Sequence, residues 1–199
     1  KFYRPQSENL LVEVIQKIEQ DGLGEEIRFL ARKPKSVPVV ENKSIWNIKS
    51  SVKTNKKPVV SIIIPVFNKV EYTQQCLEAL YSIENGINEF EIIVIDNAST
   101  DETNNFLNFA LKVYDNIKVI TCSKNLKFAG ACNIGAKNAD GKILVFLNND
   151  TIPTANWLSA GINKLITNQE IGIVGSKLVY PDDTIQHAGI EFVSNMHPD

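Results

Sequence analysis

The feature that most constrains this chain is an alternation, from residue 58 onward, of β-branched runs with helix-like stretches. Val59-Val60-Ser61-Ile62-Ile63-Ile64 is apolar at nearly every position, not at every second one. A strand of that kind suits the middle of a parallel sheet, covered on both faces. Further strands are expected at 90–95, 117–121, 142–147 and 171–174, with a last one at 187–193. Helical patterns fill the gaps, from about Asn68 to Ser82, Ser99 to Tyr114, Ala129 to Asn138 and Thr154 to Thr167. Two of them open in capping-box form, Asn68-Lys69-Val70-Glu71 and Ser99-Thr100-Asp101-Glu102. The alternation predicts an α/β fold with a mostly parallel sheet flanked by helices.

The first 57 residues read differently. Leu11, Val14, Ile15 and Ile18 fall at helical spacing over 7–20, and Gly22 and Gly24 end that helix. Residues 33–57 are rich in Lys, Ser, Pro and Asn and have no clear period, which predicts a linker or loose arm carrying Trp46. A boundary is therefore expected near residue 57, with an N-terminal helical arm before it and the α/β domain over 58–199. Charge divides at the same place. The arm carries 12 Lys and Arg against 7 Asp and Glu, and the remainder 9 against 16. The basic arm reads as a solvated surface or as a peripheral contact with an acidic membrane. The acidic remainder argues against nucleic acid as a ligand. The apolar runs are far shorter than the roughly 20 residues that span a bilayer. Cys76, Cys122 and Cys132 have no zinc spacing, and a sparse, odd count suits a reducing cytoplasm. A cytoplasmic location is expected, with peripheral attachment at the inner face of the plasma membrane as an option. The chain runs from Lys1 to Asp199 with no obvious finishing element, so a fragment is expected.

In open α/β sheets ligands bind beyond the carboxyl ends of the strands. Polar groups follow all four strands of the core. Pro65-Val66-Phe67-Asn68 follows the first and Asp96-Asn97-Ala98-Ser99 the second. Ser123-Lys124-Asn125-Leu126-Lys127 follows the third and Asn148-Asn149-Asp150-Thr151 the fourth. Asp96 could accept a hydrogen bond from the imide of a pyrimidine base, or serve as a turn or cap residue. Phe67 could wall off such a base, or pack in the core. Asn148 and Asp150 offer hard oxygen donors suited to Mg²⁺ or Mn²⁺ shared with phosphates, or they form an Asx turn. Lys127 could meet a phosphate, or be solvated. Gly130 and Ala131 could admit a ligand to the backbone, or let a helix pack tightly. Walker A and G-x-G-x-x-G are both absent.

Val60-Ser-Ile-Ile-Ile-Pro-Val-Phe-Asn68, Ile95-Asp-Asn-Ala-Ser-Thr-Asp101, Asn125 with Asn133-Ile-Gly135, and Phe146-Leu-Asn-Asn-Asp150 follow one another in order. Together they resemble family 2 glycosyltransferases with the GT-A fold. The stretch Gly175–Gly189 resembles the bacterial branch that makes surface polysaccharides, rhamnosyltransferase-like members included. The resemblance covers about residues 58–192. It implies a base site at Pro65, Phe67 and Asp96, and a diphosphate site at Asn125, Lys127 and Asn149. It also implies a divalent metal, Mn²⁺ or Mg²⁺, on Asp150 and Asn148. Asn148 stands where the family's Asp-x-Asp motif has its first Asp, which lowers the charge of that site.

The resemblance further implies an inverting transfer from a UDP-, dTDP- or GDP-linked sugar to a saccharide or lipid-linked saccharide acceptor. The general base is expected in an acceptor half after Gly189, beyond Asp199, so the isolated chain is expected to turn over little. Asp182 and Asp183 read as a Pro-Asp-Asp-Thr turn and His187 as structural. A non-catalytic nucleotide-binding or assembly module with the same fold is the alternative. A sugar nucleotidyltransferase would want a glycine- and basic-rich loop after the first strand, which Pro65-Val66-Phe67-Asn68 is not.

Overall fold

The computed structural model describes residues 29–32, 46–50, 57–83 and 90–189. Four parallel strands form its centre: β3 (Val60–Val66), β4 (Phe90–Asp96), β5 (Ile117–Cys122) and β6 (Ile143–Phe146). Their order across the sheet is β5-β4-β3-β6. The chain therefore steps outward from β3 to β5, then returns to the other side of β3. That reversal makes the β3–β6 gap the topological switch point, where doubly wound sheets open a crevice.

The run predicted to be buried on both faces is so. Ile62, Ile63 and Ile64 are all fully buried. Ile62 and Ile64 face helices α1 (Val70–Ser82), α2 (Thr103–Val113) and α4 (Trp157–Thr167), among Leu77, Leu80, Leu107, Leu158 and Ile162. Ile63 faces α3 (Lys127–Lys137) with Ile93, Ile95, Ala131 and Ile134. The result is three layers, with α3 the helix on that second face among the described residues. The strand and helix expectations over 58–174 hold, with shifted ends. The last of these strands, β7 (Ile173–Gly175), starts later, and α3 starts two residues earlier.

The first 57 residues need a correction. β1 (Phe29–Arg32) lies antiparallel between β6 and β7, and β2 (Trp46–Ser50) pairs antiparallel with β5. These segments are sheet, not arm and linker, and residue 57 does not separate them from the main domain. Pairing with a preformed neighbour supplies the hydrogen bonds that local propensity does not signal. The helix expected over 7–20 lies outside the described residues. The final strand expected at 187–193 is not found in its described part: β9 (Ile185–His187) shares only His187 with it, Ala188 and Gly189 are not strand, and β9 pairs with β8 (Leu178–Val179) in a separate hairpin. Residues 190–193 lie outside the described part.

An ionic knot around the buried carboxylate of Glu91 pins the amino ends of the parallel strands. Ser61 Oγ and the Asp140 N–H both donate to Glu91 Oε1, at 2.6 and 2.7 Å. Lys118 Nζ lies 2.7 Å from Glu91 Oε2 and 2.6 Å from Asp140 Oδ2. The Gly141 N–H donates to Ser61 Oγ at 2.9 Å. Burial by itself would lower the Lys118 pKa, but its bonds to Asp140 and Glu91 outweigh that and raise it. The knot joins β3, β4, β5 and the turn before β6, and so fixes their register at the end away from the crevice.

Helix α3 can lie close on the sheet because Gly135 lacks a side chain. A Cβ there would press on Ile63 Cγ2 and come within 2.9 Å of Ile95 Cδ1. Gly135→Ala is expected to cost about 1–3 kcal/mol of overpacking, against a helix-propensity gain of about 1 kcal/mol. Urea unfolding should show a net loss; equal or greater stability would contradict the close packing.

Candidate functional site

At the switch point β3 and β6 part, which is where a sheet of this order opens a crevice. Their pairing runs from Val60↔Ile143 to Ile63↔Phe146, and the Leu147 N–H still donates to Ile63 O at 3.0 Å. Pro65 comes two residues later on the same edge of β3. It has no N–H to donate, so no donor is stranded where β6 has left. On its other edge β3 stays paired to β4 through Val66↔Asp96. Phe67 follows at once and is 49% exposed, a large apolar ring outside the core.

Side chains stitch the loops at this rim to one another. The Asn68 N–H donates to Ser99 Oγ (2.8 Å), and the Thr100 N–H donates to Asn68 Oδ1 (2.8 Å). Asp101 reaches both helices behind these loops: Oδ2 accepts from the Val70 N–H at 3.2 Å and Oδ1 from the Thr103 N–H at 3.1 Å. The two expected capping boxes therefore do not form. Neither α1 nor α2 has a side-chain bond from its own cap residue. Asn68 and Ser99 act between loops instead, because the β3 and β4 exits lie side by side.

Asp96 ends β4 and is 1% exposed. Its Oδ1 accepts from the Ser99 N–H at 2.9 Å, so it serves as a turn residue. The Cys122 thiol is pushed up, by burial first and then by the charge of Asp96. Asn97 is buried at 4% and joins this loop to the next. Its Oδ1 accepts from the Leu126 N–H (2.8 Å), while Nδ2 donates to Asn125 Oδ1 (3.0 Å) and Lys127 O (3.2 Å). Asn125 and Lys127 are both exposed, and the Lys127 N–H donates to Asn125 Oδ1 at 2.8 Å. Ala131 is fully buried against the sheet, so packing accounts for it. Sequence reading did not single out Asn97; its one signal was position, directly after a strand-ending Asp.

At the β6 exit, Asn148 is 8% exposed and Asp150 is exposed. Asn149 Nδ2 donates to Thr73 Oγ1 on α1 at 3.0 Å, and Thr151 Oγ1 donates to Asn148 O at 2.8 Å. Among the described residues no three His, Cys, Asp or Glu side chains gather to hold a metal. The donors present are oxygens and fit Mg²⁺ or Mn²⁺ in kind, with Asp150 as the accessible carboxylate. They fit in number only if a diphosphate supplies most of the coordination. Asp182 is spent in the hairpin turn, accepting from the Thr184 N–H and hydroxyl at 3.1 and 2.6 Å. Asp183 turns the chain at φ 63°.

Four residues other than glycine hold a left-handed backbone at this rim: Asn68, Lys69, Ala98 and Lys127. Each costs on the order of 1 kcal/mol or more, and such strain gathers at functional sites.

A family model described as glycosyl transferase family 2 matches residues 61–192. The glycosyltransferase AglE of Haloferax volcanii is 33% identical over 131 residues, covering 65% of this chain and 43% of AglE. The O-antigen biosynthesis protein RfbC of Myxococcus xanthus is 30% identical over 134 residues, covering 67% of this chain and 10% of RfbC. The chain thus spans under half the length of either. A mannosyltransferase from Pyrobaculum calidifontis, solved with GDP-Man and Mn²⁺, shares the fold at a TM-score of 0.51 and 22% identity, over 63% of this chain and 36% of that one. The mostly parallel sheet flanked by helices, expected from the GT-A resemblance, is the observed architecture.

The stitching has a pH signature at Asp101. Its slight burial opposes ionisation, but the nearby Thr103 hydroxyl and the hydrogen bonds from the Thr103 and Val70 amides outweigh this and lower its pKa. A lowered folded-state pKa gives stability above the unfolded value near 4 that is lost as pH falls through the folded value. Asp101→Asn should therefore reduce stability at pH 7, by a small amount for so exposed a group, and differ less from wild type at pH 3. Equal loss at both values, read from urea midpoints, would show that the charge of Asp101 does not matter.

Proposed function

The chain belongs to glycosyl transferase family 2, and on that premise we propose that it is the donor-binding portion of an inverting glycosyltransferase. The reaction moves a sugar from a nucleoside diphosphate to an acceptor hydroxyl in cell-surface polysaccharide synthesis. The observation that carries this reading is the rim itself: three strand exits tied to one another by side chains, with the fourth tied to α1, at the switch point of the sheet. RfbC, an O-antigen biosynthesis protein, supports the polysaccharide setting.

In this reading Pro65 leaves the crevice open and Phe67 walls one side of the base. Asp96 holds the loop that receives the base through Oδ1, which leaves Oδ2 for the imide N–H of uracil or thymine or the N1–H of guanine. Asn125, Lys127 and Asn149 lie along the diphosphate, with the Lys127 ammonium meeting phosphate charge. Asp150 and Asn148 would hold a divalent metal together with diphosphate oxygens, and that ion would offset charge on the leaving group. The acceptor oxygen bonds to the anomeric carbon as the bond to the diphosphate oxygen breaks, and the acceptor proton passes to a base. No base is assigned among the described residues, since Asp182 and Asp183 build the hairpin turn. The acceptor is a saccharide or a lipid-linked saccharide. Among the described residues no helix is long and apolar enough to cross a membrane, and we assign the basic residues of 1–57 a peripheral contact with acidic lipid.

Isothermal titration with UDP, dTDP and GDP in the presence of Mn²⁺ tests the binding claim. One of the three should bind weakly, and Asp150→Ala should weaken it on the order of tenfold and remove its dependence on Mn²⁺. Absence of heat with all three would overturn the reading.

A further inference from the structure

We propose that Asn97 is a positioning residue for the donor diphosphate, acting by locking the backbone of Asn125-Leu126-Lys127. The inference rests on the donor-binding reading above. Asn97 lies one residue beyond β4, and its own N–H donates to Val66 O at 2.8 Å. That bond carries the β3–β4 ladder one step past the strand. Its side-chain amide is then engaged at both ends by the neighbouring loop, and both ends are buried. The orientation of the amide is set by its partners. If it were flipped, Nδ2 would face the Leu126 N–H and Oδ1 would face two oxygens.

The engaged loop is strained. Lys127 sits at φ 61° as the first residue of α3. Its carbonyl accepts from Asn97, and its N–H donates to Asn125 Oδ1, which Asn97 also holds. Lys127 is thus held at both backbone ends, and Asn97 contributes to each hold. Released from Asn97, the loop would relax toward an ordinary helical or extended backbone and redirect the Lys127 ammonium. The geometry also ties the two halves of the site, because Asn97 follows Asp96 directly. A base seated at Asp96 and a diphosphate at Lys127 are held in fixed relation through one amide.

The test is a double-variant cycle on the chain, read by titration with Mn²⁺ and whichever of UDP, dTDP and GDP binds tightest. Asn97→Ala should weaken the diphosphate about tenfold. In a Lys127→Ala background, the same change should weaken it by no more than about threefold, because its route is already cut. Additive losses would assign Asn97 a purely structural role. Hydrogen exchange supplies a ligand-free readout. The Leu126 and Lys127 amides should lose protection in Asn97→Ala while those of Ile93 and Ile95 keep theirs; uniform loss would overturn the proposal. Should Asn97→Ala not fold, the isosteric Asn97→Asp is read in the same way, since it sets an oxygen against Asn125 Oδ1 and Lys127 O. Failure of the wild-type chain to bind any of the three nucleotides would overturn the donor reading itself. Binding by wild type with additive variants would overturn the role of Asn97 alone.

Discussion

The site depends on β3 releasing β6 after Ile63 while it keeps β4. Ile63 O still accepts from Leu147; two residues later Pro65 has nothing to donate. A residue with an N–H there would leave a donor facing an open gap. Proline lets a fully buried central strand end in a crevice without that cost. The direction of the release follows from the strand order, since β4 lies on one side of β3 and β6 on the other.

A gap at a switch point is only a space, and the loops around it need to be held. Here the holding is done by short polar side chains reaching sideways. Asn68 and Ser99 join the first two exits, Asp101 joins the helices behind them, and Asn97 joins the second exit to the third. Asn149 ties the fourth exit to α1 through Thr73. These bonds offset the strain of the left-handed residues at the same rim. The opposite rim is built by other means: there Lys118 and Asp140 gather on the buried Glu91 in a knot that fixes strand register. One end of the sheet is pinned by charge, and the other is held open by amides and hydroxyls.

Much of this architecture was legible in the sequence. The β-branched runs marked the parallel strands, because a strand covered on both faces has to be apolar at nearly every position. The candidate site was legible as a set of strand exits. Its internal wiring was not. Asn68 and Ser99 have the form of helix caps, and only the adjacency of their loops diverts them to each other. Phe29–Arg32 shows no alternation, and the short Trp46-Asn47-Ile48-Lys49 alternation sits inside an otherwise aperiodic Lys- and Ser-rich stretch; both become strands because β6 and β5 offer edges to pair with.

The sequence by itself determined the α/β class, the four parallel strands, the membership implied by the ordered motifs and the residues that line the rim. Those properties are written in local periodicity and in the order of short segments along the chain. The tertiary structure alone decided that β1 and β2 join the sheet, that Phe67 is exposed and Asp96 buried, and that Asn97 connects two loops. These depend on which segments become neighbours across the sheet, and an amide such as that of Asn97 finds its partners 28 to 30 residues away only once β4 and β5 lie side by side.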